Sequence, residues 1–111
     1  MEISYSKQKD ILIINLNGNL DTVTSHLLQE KIEKIIGEGE LKLIIHCAQL
    51  NYISSSGLRV FLMTLKRLKP LKGQLILASM KVSIKEIFNI SGFSPLFKFS
   101  LDIQSGLNSF N

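Results

Sequence analysis

The sequence is short of the residue types that most chemistry needs. It has one cysteine, Cys47, so no internal disulfide can form, and no Cys/His cluster has zinc spacing. No apolar run reaches the roughly 18 residues of a membrane span. The N-terminus lacks an apolar signal core, because Glu2, Lys7, Lys9 and Asp10 interrupt it. No Gly-rich phosphate loop ending in Lys-Ser/Thr is present, which removes support for autonomous ATP binding. The serines lie in no G-x-S-x-G elbow, and neither His26 nor His46 has an acid beside it in the chain to orient an imidazole. A hydrolase working through Ser55 therefore lacks a base. These absences fit a cytoplasmic, non-enzymatic protein with no metal and no cofactor.

What is present is a globular composition. The chain has 111 residues, 45% hydrophobic and 20% charged. That length predicts one domain over residues 1–111, burying roughly 65% of its unfolded surface. The formal charge is +4 with a pI near 9.3, which raises nucleic acid or an anionic membrane as partners. Lys66, Arg67, Lys69 and Lys72 supply the densest basic cluster. They fall where a helix should end, a place that favours cations, and no base-stacking aromatics are interleaved with them. A solvated face accounts for them, and nucleic acid is not expected.

Periodicity gives the elements. Residues 1–6 alternate apolar and polar, as a half-exposed strand does. Residues 11–16 are almost wholly apolar and read as a strand buried on both faces, paired with the first in a hairpin. Gly18-Asn19-Leu20-Asp21 reads as a break, with Asp21 or Thr22 capping a helix over residues 22–36. The apolar stripe of that helix is Val23, Leu27, Leu28, Ile32, Ile35 and Ile36. Residues 41–46 form the next strand. Leu58, Phe61, Leu62, Leu65 and Leu68 then recur at helical spacing, and the helix stops at Pro70. Residues 74–78 form a strand. Ser83-x-x-Glu86 resembles a capping box opening a third helix with Ile84, Ile87, Phe88 and Ile90. Residues 97–99 make a short edge strand, and a last helix starts near Asp102. Strands alternating with helices predict an α/β fold: a mainly parallel central sheet, covered by helices, with an N-terminal β-hairpin.

The stretch Tyr52-Ile53-Ser54-Ser55-Ser56-Gly57-Leu58 stands apart. Three hydroxyls in a row precede an amphipathic helix. They can cap it by accepting its first free N–H groups. The same helix end tolerates a phosphate, because it carries partial positive charge and unpaired donors. Two loops at strand ends, residues 18–24 and 49–57, thus lead into helix N-termini, where open α/β sheets place functional residues. Cys47 reads as a small core residue, with the His46 side chain on the opposite face of the strand.

Three segments carry a family resemblance. Gly18-Asn19-Leu20-Asp21 resembles the G-x-L-D motif, residues 52–60 resemble a phosphorylation loop of the form [D/S]-S-[S/A]-G-L, and Ser91-Gly92-Phe93 resembles a T-G-hydrophobic break. Together, in order and across the chain, they resemble a STAS domain of the anti-sigma factor antagonist type. The resemblance implies a partner-switching regulator. It would bind an anti-sigma factor that is also a serine kinase of the histidine-kinase-like ATPase fold. Phosphorylation of a loop serine would release it, and a phosphatase would reset it. The implied phosphoacceptor is Ser55, with Ser54 and Ser56 as alternatives. The implied partner surface comprises Asn19, Asp21, Thr22, Ser54, Ser56, Gly57 and Arg59. Ser54 stands where the best-known members carry Asp, and His46 where many carry an acid. The alternative is a STAS adaptor subunit that docks on a transporter ATPase or another signalling protein without a sigma circuit.

Overall fold

The structure, a computed structural model, describes residues 1–110. Strands β1 (Glu2–Gln8) and β2 (Ile11–Leu20) pair antiparallel, from Glu2 opposite Asn17 to Gln8 opposite Ile11. Then follow α1 (Thr22–Gly37), β3 (Lys42–Ile53), α2 (Ser55–Leu68), β4 (Gln74–Ala78), α3 (Val82–Ile90), β5 (Lys98–Ser100) and α4 (Ile103–Asn108). Two 3₁₀ turns, Lys69–Leu71 and Ser94–Leu96, lead into β4 and β5. Each carries a proline; Pro70 follows just past the end of α2, whereas α3 has already ended at Ile90, before Gly92 at φ 78°.

The sheet order is the chain order, β1-β2-β3-β4-β5, and every pairing after the hairpin is parallel. Each crossover therefore steps to the next strand in one direction. Right-handed crossovers then place α1, α2 and α3 on one face of the sheet. The main core lies there. Leu12, Ile14 and Leu16 of β2, Leu43, Ile45 and Cys47 of β3, and Leu75 and Leu77 of β4 meet the buried faces of the three helices. The alternate residues Ile11, Ile13, Ile44 and Ile76 form a second, smaller cluster against Ile103 and Leu107 of α4. Burial from both sides explains why β2 and β3 begin as unbroken apolar runs.

Phe88 of α3 centres the aromatic part of the core. Its ring stacks on Phe61 at 5.8 Å and meets the edges of Phe97 at 5.4 Å and Phe99 at 5.8 Å. These contacts fasten α2, α3 and β5 together around one buried ring.

Several boundaries differ from the sequence reading. β2 runs on through the expected break to Leu20, with register shifts on either side of residues 17–18 and Gly18 at φ 126°. Glycine tolerates that backbone, so the strand bends and continues. β3 likewise extends seven residues past His46, to Ile53. In α1, Val23 is 79% and Leu27 44% exposed, so the stripe narrows to Leu28, Ile32, Ile35 and Ile36, joined by Ser25. Ile90 is 86% exposed at the end of α3. The expected capping box at Ser83 is absent. The helix opens two residues earlier, with Lys81 as N-cap and its carbonyl accepting from the Ile84 and Lys85 N–H groups. The Lys81 ammonium is hydrogen-bonded to the Asn51 side chain, which ties that turn to β3.

Candidate functional site

Two helix N-termini lie side by side at the carboxyl end of the sheet. Asn19 is in register with Tyr52 and Leu20 with Ile53, and the Ser54 N–H donates to the Leu20 carbonyl at 2.8 Å. The next residue on each strand, Asp21 and Ser54, is the N-cap of its helix. The expected loops are thus much shorter than read: one residue on each strand separates sheet from helix. The pairing of β2 with β3 fixes the spacing between the two helix starts.

Asp21 closes a full capping box. Its carboxylate accepts from the Thr24 N–H at 2.9 Å, and the Asp21 N–H donates to the Thr24 hydroxyl oxygen at 2.9 Å. The Thr24 hydroxyl in turn donates to the Asn19 carbonyl at 2.7 Å. The hydrogen bonds from Thr24 lower the Asp21 pKa below the ordinary carboxylate value. Of the two expected caps, Asp21 and Thr22, it is Asp21 that caps and Thr22 that begins the helix; the partner Thr24 was not expected. The signal was D-x-x-T, which recurs as Asp102-x-x-Ser105 at the start of α4.

Ser54 caps α2 more simply. Its hydroxyl accepts from the Gly57 N–H at 3.2 Å, and its carbonyl accepts from the Leu58 N–H at 3.1 Å. Gly57 has no room for a side chain. A Cβ there would stand 2.7 Å from Ile53 Cγ1 and 3.1 Å from Leu20 Cβ. The first turn of α2 is therefore pressed directly onto the ends of β2 and β3, and the serines cannot drift from the sheet. Ser55 and Ser56 occupy the first two helical positions. Their N–H groups belong to the helix-start set that has no intrahelical acceptor. Ser55 is exposed, whereas Ser54 and Ser56 are half-buried. Arg59, exposed, follows Ser55 one turn later on the same side of the helix.

The structure thus brings together every residue expected at the surface: Asn19, Asp21, Thr22, Ser54, Ser55, Ser56, Gly57 and Arg59 all belong to this pair of strand-to-helix junctions. Thr22, His26, Ser56 and Arg59 also share a small cleft between α1 and α2, with Ser25 and Gln29. Ser25 and Gln29 were not anticipated. The available signal was helical spacing, since Ser25 lies three and seven residues before the buried Leu28 and Ile32.

The remaining reactive groups are elsewhere. His46 is on the opposite face of β3, its Nδ1 3.0 Å from Asn15 Oδ1, and burial lowers its pKa. Cys47 is fully buried and its thiol is pushed up to about 12, leaving it protonated and inert. Among the described residues, no imidazole is hydrogen-bonded to Ser54, Ser55 or Ser56. None of the described residues form a group of three or more His, Cys, Asp or Glu suited to a metal. No helix of the described residues is long and apolar enough to cross a membrane.

A parallel α/β sheet opened by a hairpin, with two adjacent capped helix starts at its carboxyl end, defines the class of domain, and comparison with known proteins agrees. Residues 2–106 match the STAS domain family, and the chain belongs to it. BtrV of Bordetella bronchiseptica, a candidate anti-sigma factor antagonist, is 33% identical over 97 residues, covering 87% of this chain and 84% of BtrV. The anti-sigma-B factor antagonist of Bacillus subtilis is 24% identical over 107 residues, covering 96% of this chain and 97% of its own. Among solved structures, TM1081 of Thermotoga maritima superimposes with a TM-score of 0.91 at 19% identity, covering 96% of this chain and 92% of that one. Phosphorylated SpoIIAA of Bacillus superimposes with a TM-score of 0.74 at 22% identity, covering 94% and 96%. The two structural likenesses concern the fold.

Proposed function

We propose that this protein is an anti-sigma factor antagonist, a non-enzymatic regulator that binds an anti-sigma factor and is released when a kinase phosphorylates Ser55. The observation that carries the reading is the division of labour among the three serines. Ser54 is engaged as the helix cap and Ser56 is half-buried. Ser55 alone is exposed at the helix start, where a phosphoryl group meets unpaired N–H donors. Ser54 is half-buried and held in the cap, so it presents its hydroxyl less freely than Ser55 does. The names of BtrV and the Bacillus subtilis relative support the regulatory role.

In this reading Asn19, Asp21, Thr22, Ser54, Ser56, Gly57 and Arg59 form the polar part of the partner surface. Val23, 79% exposed, and Tyr52, 51% exposed, flank them and supply apolar area of the sort that marks docking sites. The partner is an anti-sigma factor that is also a serine kinase of the histidine-kinase-like ATPase fold. A phosphatase resets the switch, and the circuit is cytoplasmic. A phosphoryl group adds about −1.5 to −2 charge at pH 7. In the middle of that surface it crowds and repels a docked protein.

The test is mass spectrometry of tryptic peptide 43–59 from native cells, with fragmentation to assign the site, and capture of the partner by wild type and Ser55→Asp. Phosphate on Ser55 with loss of the partner by Ser55→Asp is the expected result. Equal binding by both forms, or a chain never phosphorylated under any growth condition, would overturn the switch.

A further inference from the structure

We infer that the outer edge of β1 is a pairing surface for a second copy of this chain, which adds its own β1 antiparallel across a two-fold axis at Tyr5. β1 ends the sheet, and among the described residues it pairs with β2 alone. The hairpin fixes which of its backbone groups are free. Gln8 stands opposite Ile11 across the two-residue turn Lys9-Asp10, so that closing pair is a hydrogen-bonded one. Alternation then turns the N–H and C=O groups of Glu2, Ser4, Ser6 and Gln8 towards β2, and those of Ile3, Tyr5 and Lys7 outward. The two edges of the sheet differ. β5 is three residues long, and short edges resist pairing. β1 is seven residues long, holds no proline and keeps an unbroken register on β2. Its lysine, Lys7, is held by Glu40 at 2.8 Å. Neither shortness, a proline nor a bulge blunts this edge.

The strand fits itself. With Tyr5 on the axis, Tyr5 meets Tyr5 of the second copy, Ile3 meets Lys7, and Lys7 meets Ile3. Each is a narrow pair that exchanges two main-chain hydrogen bonds, so every outward backbone group of the strand is satisfied. Placing Ser4 or Ser6 on the axis instead leaves Lys7 or Ile3 without a partner in the strand. Charge selects the antiparallel direction. It sets the Glu2 end of each strand against the Lys7 and Lys9 end of the other, whereas a parallel pair would align like charges. Tyr5, 45% exposed, supplies a ring from each copy at the centre of the contact. Strand addition of this kind is isologous and closes at two copies, joining the two five-stranded sheets into one. The axis stands normal to the sheet. It keeps α1, α2 and α3 of both copies on one face and sends the two serine-bearing turns to opposite ends of the joined sheet.

This pairing does not depend on the phosphorylation reading. One strand a side is a small contact, below the roughly 1,200 Å² of stable complexes, so association is expected at about 10–500 μM. Sedimentation equilibrium of the full chain up to about 1 mM should show the mass rising from 12.5 kDa towards twice that value. Amide hydrogen exchange locates the contact. The Ile3, Tyr5 and Lys7 amides should gain protection as concentration rises, while those of Ser4 and Ser6, bonded to β2, are protected throughout. Tyr5→Pro removes an outward N–H and no bond to β2. Tyr5→Lys sets two ammonium groups face to face on the axis. Each should weaken association about 10-fold or more while the folded spectrum persists. A chain that stays monomeric to about 1 mM overturns the proposal. So does a dimer whose Ile3, Tyr5 and Lys7 amides exchange as they do in the monomer, or whose affinity survives Tyr5→Lys in the folded protein.

Discussion

Replacing the serines one at a time separates fold from function within three residues. Ser54→Ala removes the hydroxyl that accepts from the Gly57 N–H. Loss of an N-cap costs about 0.5–2 kcal/mol. The 3.2 Å length sits at the long end of the N–H···O range, which places this cap near about 0.5–1 kcal/mol. With unfolding entropy near 2.1 cal/mol/K per residue, a chain of this length loses roughly 4 °C per kcal/mol. Ser54→Ala should therefore lower Tm by about 2–4 °C. Ser55→Ala removes an exposed hydroxyl that makes no hydrogen bond among the described residues and should stay within about 0.5 kcal/mol of wild type. Ser54→Asp should recover the cap, because Asp ranks with Ser at that position. Urea and thermal unfolding by circular dichroism read all three, and phosphate content in native cells reads function. The expected pattern is crossed: Ser54→Ala is destabilised yet phosphorylated, and Ser55→Ala is stable yet unmodified. If Ser55→Ala is the destabilised variant, or Ser54→Ala is the one that loses phosphate, the roles assigned to the two hydroxyls are wrong.

Three further perturbations test the surroundings. Gly57→Ala forces a methyl against Ile53 and Leu20 and should cost about 1–3 kcal/mol by overpacking; denaturant midpoints measure it, and an unchanged midpoint would mean the helix start is loosely seated. Phe88→Ala empties the centre of the aromatic cluster and should cost about 3–5 kcal/mol, a large share of a typical domain's stability; an urea shift under about 1 kcal/mol would refute the central place given to that ring. His46 is held below its ordinary 6.5 by burial. Between the folded and unfolded values the unfolded chain binds more protons, so stability is complete above about pH 6.5 and falls as pH drops through the folded value. His46→Gln should flatten that slope between pH 7.5 and 5.5, and a slope that survives the substitution would assign it to other groups.

The architecture was legible because its main signals are periodic. Strand and helix alternation gave the crossovers, and the apolar runs of β2 and β3 gave burial on both faces. The errors have one physical source, which is pairing between segments distant in sequence. Residues 17–20 look like a break because glycine and asparagine disfavour strands. They remain in β2 because the carboxyl half of β3, residues 49–53, pairs with them through a shifted register. Neither stretch is persuasive as a strand alone. The same holds at α3, where Ser83 and Glu86 have the local pattern of a cap. Burial of Ile84 and Phe88, and the tie from Lys81 to Asn51, set the start two residues earlier. At the site, the serines and Asp21 were visible as residue types. Their adjacency was not, because it depends on the register of Leu20 with Ile53.

In the proposed switch, that register would let the site change charge without changing fold. The serine-bearing turn is held from three sides: by the Ser54 N–H on Leu20, by Gly57 against Ile53, and by the Ser54 cap. None of these holds uses the Ser55 side chain. A phosphoryl group added there would gain the helix N-terminus as a favourable neighbour and would break no side-chain hydrogen bond among the described residues. On that proposal, modification would act against a docked partner and would not need to rearrange the domain. A switch of this kind needs rigidity at the modified turn. A flexible turn would swing the new charge away from the docking surface. The glycine with no room for a Cβ and the paired strand ends supply that rigidity, so Gly57→Ala should weaken the discrimination between modified and unmodified protein as well as the fold.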